Sequence, residues 1–401
     1  MSEMIYARSL LKGSPVEQAR MRRAKDEQTF GIQFATNQVS EGLDAIKQAA
    51  DVGADFCDLN CGCPIYDVTR RGLGSSLLRS PQKLHKLVKG LVDESDVPIS
   101  VKIRLGCEAD TINCLENVKA LREAGAAAIT IHGRTAQQGY SNGADWDLIR
   151  QAVEESKEEG YGHVPIIGNG DILTHYEARR RMEETGVHSV MVGRGALTKP
   201  WIFSEFNNNA SWSPDAKERI QVYRTLTTYM KEHFGDDEMG RKKSWHFLPW
   251  HFEFLCRYTP YPEEEFAAQS IEKPLIQNRL VIPDHLTNPL DALLANRNTD
   301  VHDIIASLLW ESDSDESAFN KLNEFSESQK FKDIVLNGSD DLKEDEVLAN
   351  KVPGKSGGKW GKRRGRTPGP KRSEEEVVLI RAERAKKKER IIAEGGVWPP
   401  N

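Results

Sequence analysis

From its first residues to about residue 205 the chain alternates short β-branched runs with helix-like segments, and this alternation restricts the fold more than any other feature. The runs that read as strands are Met4–Ala7, Phe30–Ala35, Phe56–Asn60, Ile99–Arg104, Ala128–His132, Pro165–Gly168 and Ser189–Val192. Between them lie segments of helical character: Gly42–Val52, Pro81–Glu94, Thr111–Ala124 and His175–Glu184. Glycine stands near several helix ends, in DVGAD, EAGAA and ETGVH, where a left-handed residue stops a helix before the next strand. Strand and helix in strict alternation imply parallel βαβ units. Two global solutions exist, a closed barrel and an open doubly wound sheet. No GxGxxG follows the early strands, which weakens the dinucleotide-binding sheet. Polar residues gather instead at the C-terminal strand ends: Gln33, Asn60, Lys102, His132, Asn169 and Arg194. Barrels keep their sites in the loops that follow those ends. The expected fold is therefore a TIM-type (β/α)8 barrel. Seven strands are countable rather than eight, so the first barrel strand is expected to be missing.

The expected organisation is a barrel over 1–210, a helical domain over 211–310, an acidic linker over 311–350 and a basic tail over 351–401. Ala216–Phe234 carries Ile220, Tyr223, Leu226, Tyr229 and Met230 at helical spacing. Arg241–Tyr258 follows, with a basic start (RKKSW) and an aromatic body. Glu311 to Glu346 is dominated by acidic residues and Lys351 to Arg390 by basic ones. The Gly, Pro, Ser and Lys content of 351–372 offers little to bury, so disorder is expected there, with a charged helix from Ser373 to about Ile392 formed on contact with a partner. Such a basic run reads first as a solvated tail or nuclear-targeting signal. The net charge of −6 decides nothing about nucleic acid, because local patches set that affinity. No run of 18 apolar residues exists, so no membrane span is expected. The start MSEMIYARSL does not read as a secretory leader. Six cysteines in 401 residues do not make a disulfide scaffold. Reduced thiols in the cytoplasm and/or nucleus are expected.

The strongest local signal is FCDLNCGCPIYDVTRRGLGSSLL, residues 56–78. A strand ends at Asn60, a tight Cys-Gly-Cys-Pro turn follows, and a Gly-rich loop leads into a helix. A thiol on such a loop can reach a bound substrate, which makes Cys63 a candidate acid or nucleophile; the plainer reading is a small buried hydrophobe. Zinc held by Cys57, Cys61 and Cys63 is disfavoured, since a second paired set and a nearby His are lacking. Cys107, Cys114 and Cys256 read as packing residues. Lys102 within ISVKIRL would be costly if unpaired, so a purely structural lysine there is improbable. Asp171 reads equally as a cofactor contact or as a cap for the helix that follows.

NCGCPIYDVTRRGLGSSLL resembles the signature of the tRNA-dihydrouridine synthases, and the likeness continues in order through FGIQFA, ISVKIRLG, ITIHGRT, IIGNGDI and MVGRGALTKPWIF. It covers roughly Glu3 to Tyr261. KSWHFLPWHFEFLCRYTP most resembles the eukaryotic type that modifies position 47 of the variable loop. The resemblance implies an FMN enzyme, reduced by NADPH or NADH, that delivers hydride to C6 of uracil in tRNA. It makes Cys63 the donor of a proton to C5. Flavin contacts carry over to Gln33, Asn60, Lys102, His132, Asn169, Gly170, Asp171, Gly193 and Arg194. Lys102 would face the N1–O2 edge, and Gly170, Gly193 and Arg194 the phosphate. The helical region is implied to grip tRNA or another RNA, with Arg241, Lys242, Lys243 and Arg257 on phosphates and Trp245, Phe247, Trp250 and Phe254 in packing.

The family's Pro-Met flavin loop and its upstream zinc fingers are expected to be absent here, and a monomer is expected. Two alternatives stay open at this point. One is another FMN barrel reductase, of the dihydroorotate dehydrogenase type. The other is a catalytically silent RNA-binding protein.

Overall fold

The computed structural model describes residues 1–25, 27–278 and 288–337. The tail over 351–401 and the acidic residues beyond 337 lie outside the described residues. Seven strands, β1 (Ile5–Tyr6), β2 (Gly31–Ala35), β3 (Phe56–Cys61), β4 (Ile99–Arg104), β5 (Ala128–His132), β6 (Ile166–Asn169) and β7 (Ser189–Met191), form one parallel sheet whose spatial order follows the sequence. A doubly wound sheet reverses its strand order at a switch point. This one never reverses, which is the winding of a TIM-type β/α barrel. Among the described residues no pairing joins β1 to β7 and no eighth strand occurs.

The strands are apolar on both sides because helices cover one face and the barrel interior the other. Ile32, Leu59, Val101, Ile103, Ile129 and Ile131 are all buried. Connecting helices present the matching stripe. In Pro81–Glu94 the buried residues are Leu84, Leu87, Val88 and Leu91, the i, i+3, i+4, i+7 pattern of a one-faced helix. Ser80 starts that helix by accepting the Lys83 N–H, and Pro81 occupies its first turn. The three glycines read as helix stops do adopt left-handed backbone, with φ of +83° at Gly53, +87° at Gly125 and +68° at Gly186. Gly168 in β6 serves close approach: a Cβ there would lie 2.2 Å from the Trp146 ring.

A second core begins after the barrel. Helices Ala216–Phe234, Leu248–Leu255, Pro289–Leu294, Thr299–Trp310 and Asp315–Glu327 share Ile220, Tyr223, Leu293, Ile305, Leu309 and Leu322. The stretch Arg241–Tyr258 is divided between two helices, Glu238–Ser244 and Leu248–Leu255. Pro249 lies in the first turn of the second, where its missing N–H costs no hydrogen bond. No described helix is long and apolar enough to cross a membrane.

The acidic linker expected from 311 is corrected as far as 337. Asp315–Glu327 and Gln329–Asn337 are helices, and Ala318, Leu322 and Phe331 are buried in the second core. Charge density misled the reading. Asp315 and Glu316 sit in a first turn, where the helix dipole favours them, while apolar residues four apart turn inward. Leu322→Ala should therefore lower stability by about 2–5 kcal/mol, seen as a drop in the urea midpoint. A leucine in a solvated linker would leave the midpoint unchanged.

Candidate active site

Parallel register aligns the polar strand ends across the sheet. Gln33 pairs with Asp58, Asn60 with Lys102, Arg104 with His132, and His132 with Asn169. A cavity of about 380 Å³ opens over these ends. Gln33, Asn60, Cys63, Lys102, His132, Asn169, Gly170, Asp171, Gly193 and Arg194 all line it. A cavity of about 670 Å³ among the helices, beside Arg219 and Tyr258, contains none of them and reaches Asn288, at the edge of the described residues.

Positive charge dominates the lining. Lys102, Arg104 and Arg194 reach the cavity, and Arg134 lies fully buried just behind it. Burial, with Arg104 next to it, pushes the Lys102 ammonium down to about 8, against the pull of Asp58 and Cys63. His132 is held far below the ordinary imidazole range by burial and then by Arg104, Lys102, Arg134 and Arg194, so the ring is neutral. Arg134 Nη1 lies 3.3 Å from His132 Nε2. A guanidinium can only donate, so Nε2 accepts and the ring proton resides on Nδ1.

Asp171 holds this cluster together. One carboxylate oxygen accepts from Arg134 Nη2 at 2.6 Å, the Ala144 N–H at 2.9 Å and Gln277 Nε2 at 2.9 Å; the other accepts from Arg194 Nη2 at 2.9 Å. Its backbone is left-handed, with φ of +52°, a conformation Asp tolerates better than most residues. The helix-cap reading of Asp171 is overturned. Thr174 caps the helix His175–Thr185 in a reciprocal capping box with Glu177. Arg194 lies over the Tyr140 ring, 3.9 Å from its centroid, so that ring helps hold the guanidinium.

Gln277 arrives from the far side of the chain. Helix Glu263–Glu272 docks on barrel helix His175–Thr185, where Glu263 accepts from His175 Nε2 at 3.1 Å and pairs with Arg179. Glu177 then accepts the Leu275 N–H at 3.0 Å, which sets the turn Leu275–Gln277 over the cavity rim.

The Cys63 loop leaves β3 under side-chain control. Asn60 Oδ1 accepts the backbone N–H groups of Gly62 at 3.1 Å and Cys63 at 2.9 Å. Arg104 Nε donates to Gly62 O at 2.8 Å, and the Ser75 N–H donates to Cys63 O at 3.0 Å. Gly74 permits the second contact: its φ is +60° and a Cβ would lie 2.5 Å from Cys63 O. Burial raises the Cys63 thiol above its ordinary value, more than the Ile65 N–H, Arg104 and Lys102 lower it, so at neutral pH it is protonated. Cys63 is half-buried, whereas Cys57, Cys61, Cys107, Cys114 and Cys256 are buried.

The four residues assigned to RNA phosphates stand apart from the cavity lining. Arg241 pairs with Glu311 at 3.2 Å and lies over the Trp245 ring; Lys242 and Lys243 are exposed. Arg257 is exposed and donates to Glu253 O at 2.7 Å. Trp245, Phe247, Trp250 and Phe254 are half-buried among other rings, including Trp310 and Phe234. Sequence reading left out Asp58, Arg104, Arg134, Tyr140 and Gln277 as site residues. Asp58 and Arg104 had a signal, a charge inside an apolar strand; Gln277 had none.

The dihydrouridine synthase (Dus) family model matches residues 1–278. The chain belongs to the dihydrouridine synthase family. A tRNA-dihydrouridine(47) synthase [NAD(P)(+)]-like protein of Xenopus tropicalis is 35% identical over 276 residues, which cover 68% of this chain and 42% of the relative. The corresponding Homo sapiens protein is 36% identical over 68% of this chain and 41% of its own length. The tRNA-dihydrouridine(47) synthase [NAD(P)(+)] of Coprinopsis cinerea is 39% identical over 64% of this chain and 40% of its own. This dihydrouridine synthase chain thus spans about two fifths of the length of these curated relatives.

Asp171→Asn should destabilise the protein by about 3–5 kcal/mol, since removing one partner leaves the buried Arg134 charge uncompensated. A chemical denaturation curve measures this. A loss under about 1 kcal/mol would show that the guanidiniums do not depend on Asp171.

Proposed function

We propose that the protein reduces uridine to 5,6-dihydrouridine in tRNA, at position 47 of the variable loop, with FMN as cofactor and NADPH or NADH as reductant. The observation that carries this reading is one cavity at the C-terminal strand ends that combines a cationic lining with a protonated, half-buried thiol. Barrels of this type do their chemistry at that face. The printed names of the relatives give the reaction and the nicotinamide reductant for those proteins.

The residues present fit FMN, a flat dianion. Gly193 stands in open space, with nothing within 4 Å of where a Cβ would be, so backbone can approach a phosphate there. Arg194 supplies charge beside it, held by Asp171 and Tyr140. Asn169, Gly170 and His132 would line the same side, and Lys102 the side nearer Cys63. Gln33 and Asn60 would border the ring edge. FMN, when bound, supplies the hydride that uracil C6 receives.

Cys63 then gives the proton from Sγ to C5. A protonated thiol can donate without first acquiring a proton, and the thiolate left behind is stabilised by the Ile65 N–H, Arg104 and Lys102. Exposed Lys242, Lys243 and Arg257, with Arg241, would meet tRNA phosphates. The basic residues of 351–401 would add unspecific charge.

Cys63→Ala should bind FMN normally and lose about 10²–10⁴-fold in dihydrouridine formation, measured by mass spectrometry of tRNA nucleosides. Undiminished product would remove the thiol from the mechanism. FMN retention by the unaltered chain without any dihydrouridine would favour a silent RNA-binding role.

FMN affinity should also depend on pH through Lys102. The ammonium is charged below about 8 and neutral above it. Attraction for an anionic ligand is therefore full below that value and lost as pH rises through it. A charged hydrogen bond contributes about 1.5–3 kcal/mol, so binding should weaken roughly tenfold or more by pH 9.5 in a flavin-fluorescence titration. Lys102→Met should bind weakly at every pH with no step. A step that survives in Lys102→Met would assign it to another group.

A further inference from the structure

Asp58 lies on β3, buried, and faces Gln33 on β2 and Ser100 on β4. Gln33 Nε2 donates to Asp58 Oδ2 at 2.8 Å and Ser100 Oγ donates to Asp58 Oδ1 at 2.7 Å. Asn60 Nδ2 donates to Gln33 Oε1 at 2.8 Å, and Asn60 Oδ1 accepts the Gly62 and Cys63 N–H groups. The polarity of this chain is set at both ends. Burial raises the Asp58 carboxyl, against the Ser100 and Gln33 donors and Lys102, which favour its charged form; as an acceptor it takes the Gln33 NH₂, which leaves the Gln33 oxygen toward Asn60. Backbone N–H groups donate only, so Asn60 must turn its oxygen toward the loop. Both requirements select the same orientation for the two amides.

We propose that Asp58 is a positioning residue for the Cys63 loop, acting through the amide orientations of Gln33 and Asn60. The loop's first two N–H groups are held by an acceptor whose orientation is supported from two side chains away. The role in catalysis rests on the reading of Cys63 as proton donor; the hold on the loop does not. Burial in an apolar barrel wall makes the arrangement all-or-none, because a reversed amide leaves donor facing donor or acceptor facing acceptor.

The test uses isosteric changes, so that shape stays constant while polarity is altered. Asp58→Leu removes the acceptor that orients the Gln33 amide and should loosen the loop. Gln33→Met cuts the relay between Asp58 and Asn60, so adding Asp58→Leu to it should change the loop little. Asp58→Asn alone should be nearly silent, because the Ser100 hydroxyl can accept instead of donate.

The readout is the rate of iodoacetamide labelling of Cys63 in the folded full chain, mapped by mass spectrometry, with Cys63→Ala as control. Asp58→Leu should label about tenfold faster, the equivalent of one net hydrogen bond. The Gln33→Met, Asp58→Leu pair should label within about twofold of Gln33→Met alone. Thermal melts run alongside separate this from a general loss of stability, which would speed labelling of the five buried cysteines too. If Asp58→Leu does not fold, Asp58→Ala with and without Gln33→Met poses the same question.

A pair in which the Gln33→Met and Asp58→Leu factors simply multiply, or an Asp58→Leu variant that labels like the unaltered chain, overturns the proposal. Dihydrouridine assays on the same proteins keep the two ideas apart. Labelling that follows the pairing in a chain that makes no dihydrouridine would sustain the positioning role and sink the proposed activity.

Discussion

The Asp171 carboxylate is the anion on which the cationic rim depends. Two guanidiniums, Arg134 and Arg194, converge on it, and Arg134 is entirely buried. An uncompensated charge at that depth would cost several kcal/mol, comparable to a domain's whole stability. With Asp171 in place, Arg134 can hold the His132 ring by Nε2 and Arg194 can lie against Tyr140 at the cavity wall. The ends of β5, β6 and β7 are thereby locked in one arrangement before any ligand arrives, and the excess positive charge of Lys102 and Arg104 is left facing the cavity.

The other half of the rim is organised by direction rather than by charge. Along β2, β3 and β4 the side chains of Gln33, Asp58, Asn60 and Ser100 form a line of donors and acceptors in which every member is satisfied. That line ends on the backbone of the loop carrying Cys63. A thiol kept protonated by burial, on a loop pinned at Asn60, Arg104 and Ser75, is suited to releasing one proton at one place. The cationic half suits an anionic cofactor; the directional half suits a proton donor.

The helical region bears on the site through the turn Leu275–Gln277. Glu177 caps its own helix and also accepts the Leu275 N–H, so one buried carboxylate joins barrel and helical elements. The turn that follows delivers Gln277 to Asp171. That turn is thus joined to the carboxylate that holds Arg194. The second core reaches to Phe331, so the elements beyond residue 310 belong to that same body.

Strand positions, helix stops and the polar rim were legible in sequence because each is a local pattern. A period of two or 3.6, a glycine after a helix and a lysine inside ISVKIRL need no knowledge of distant residues. The motif NCGCP and its companions carried the family in the same way. What could not be read was who partners whom. Asp171 looked like a cap because a helix follows it closely; its partners are 23 to 106 residues away. Asp58 was not singled out, since its partners Gln33 and Ser100 meet it only once β2 and β4 lie on either side. Acidic composition hid the helices of 315–337, because burial of Leu322 and Phe331 depends on a core assembled from 216 onward. Sequence determined which residues could stand at the rim, through local periodicity. Tertiary structure alone decided which charges and hydrogen bonds they share, because those depend on register and long-range packing.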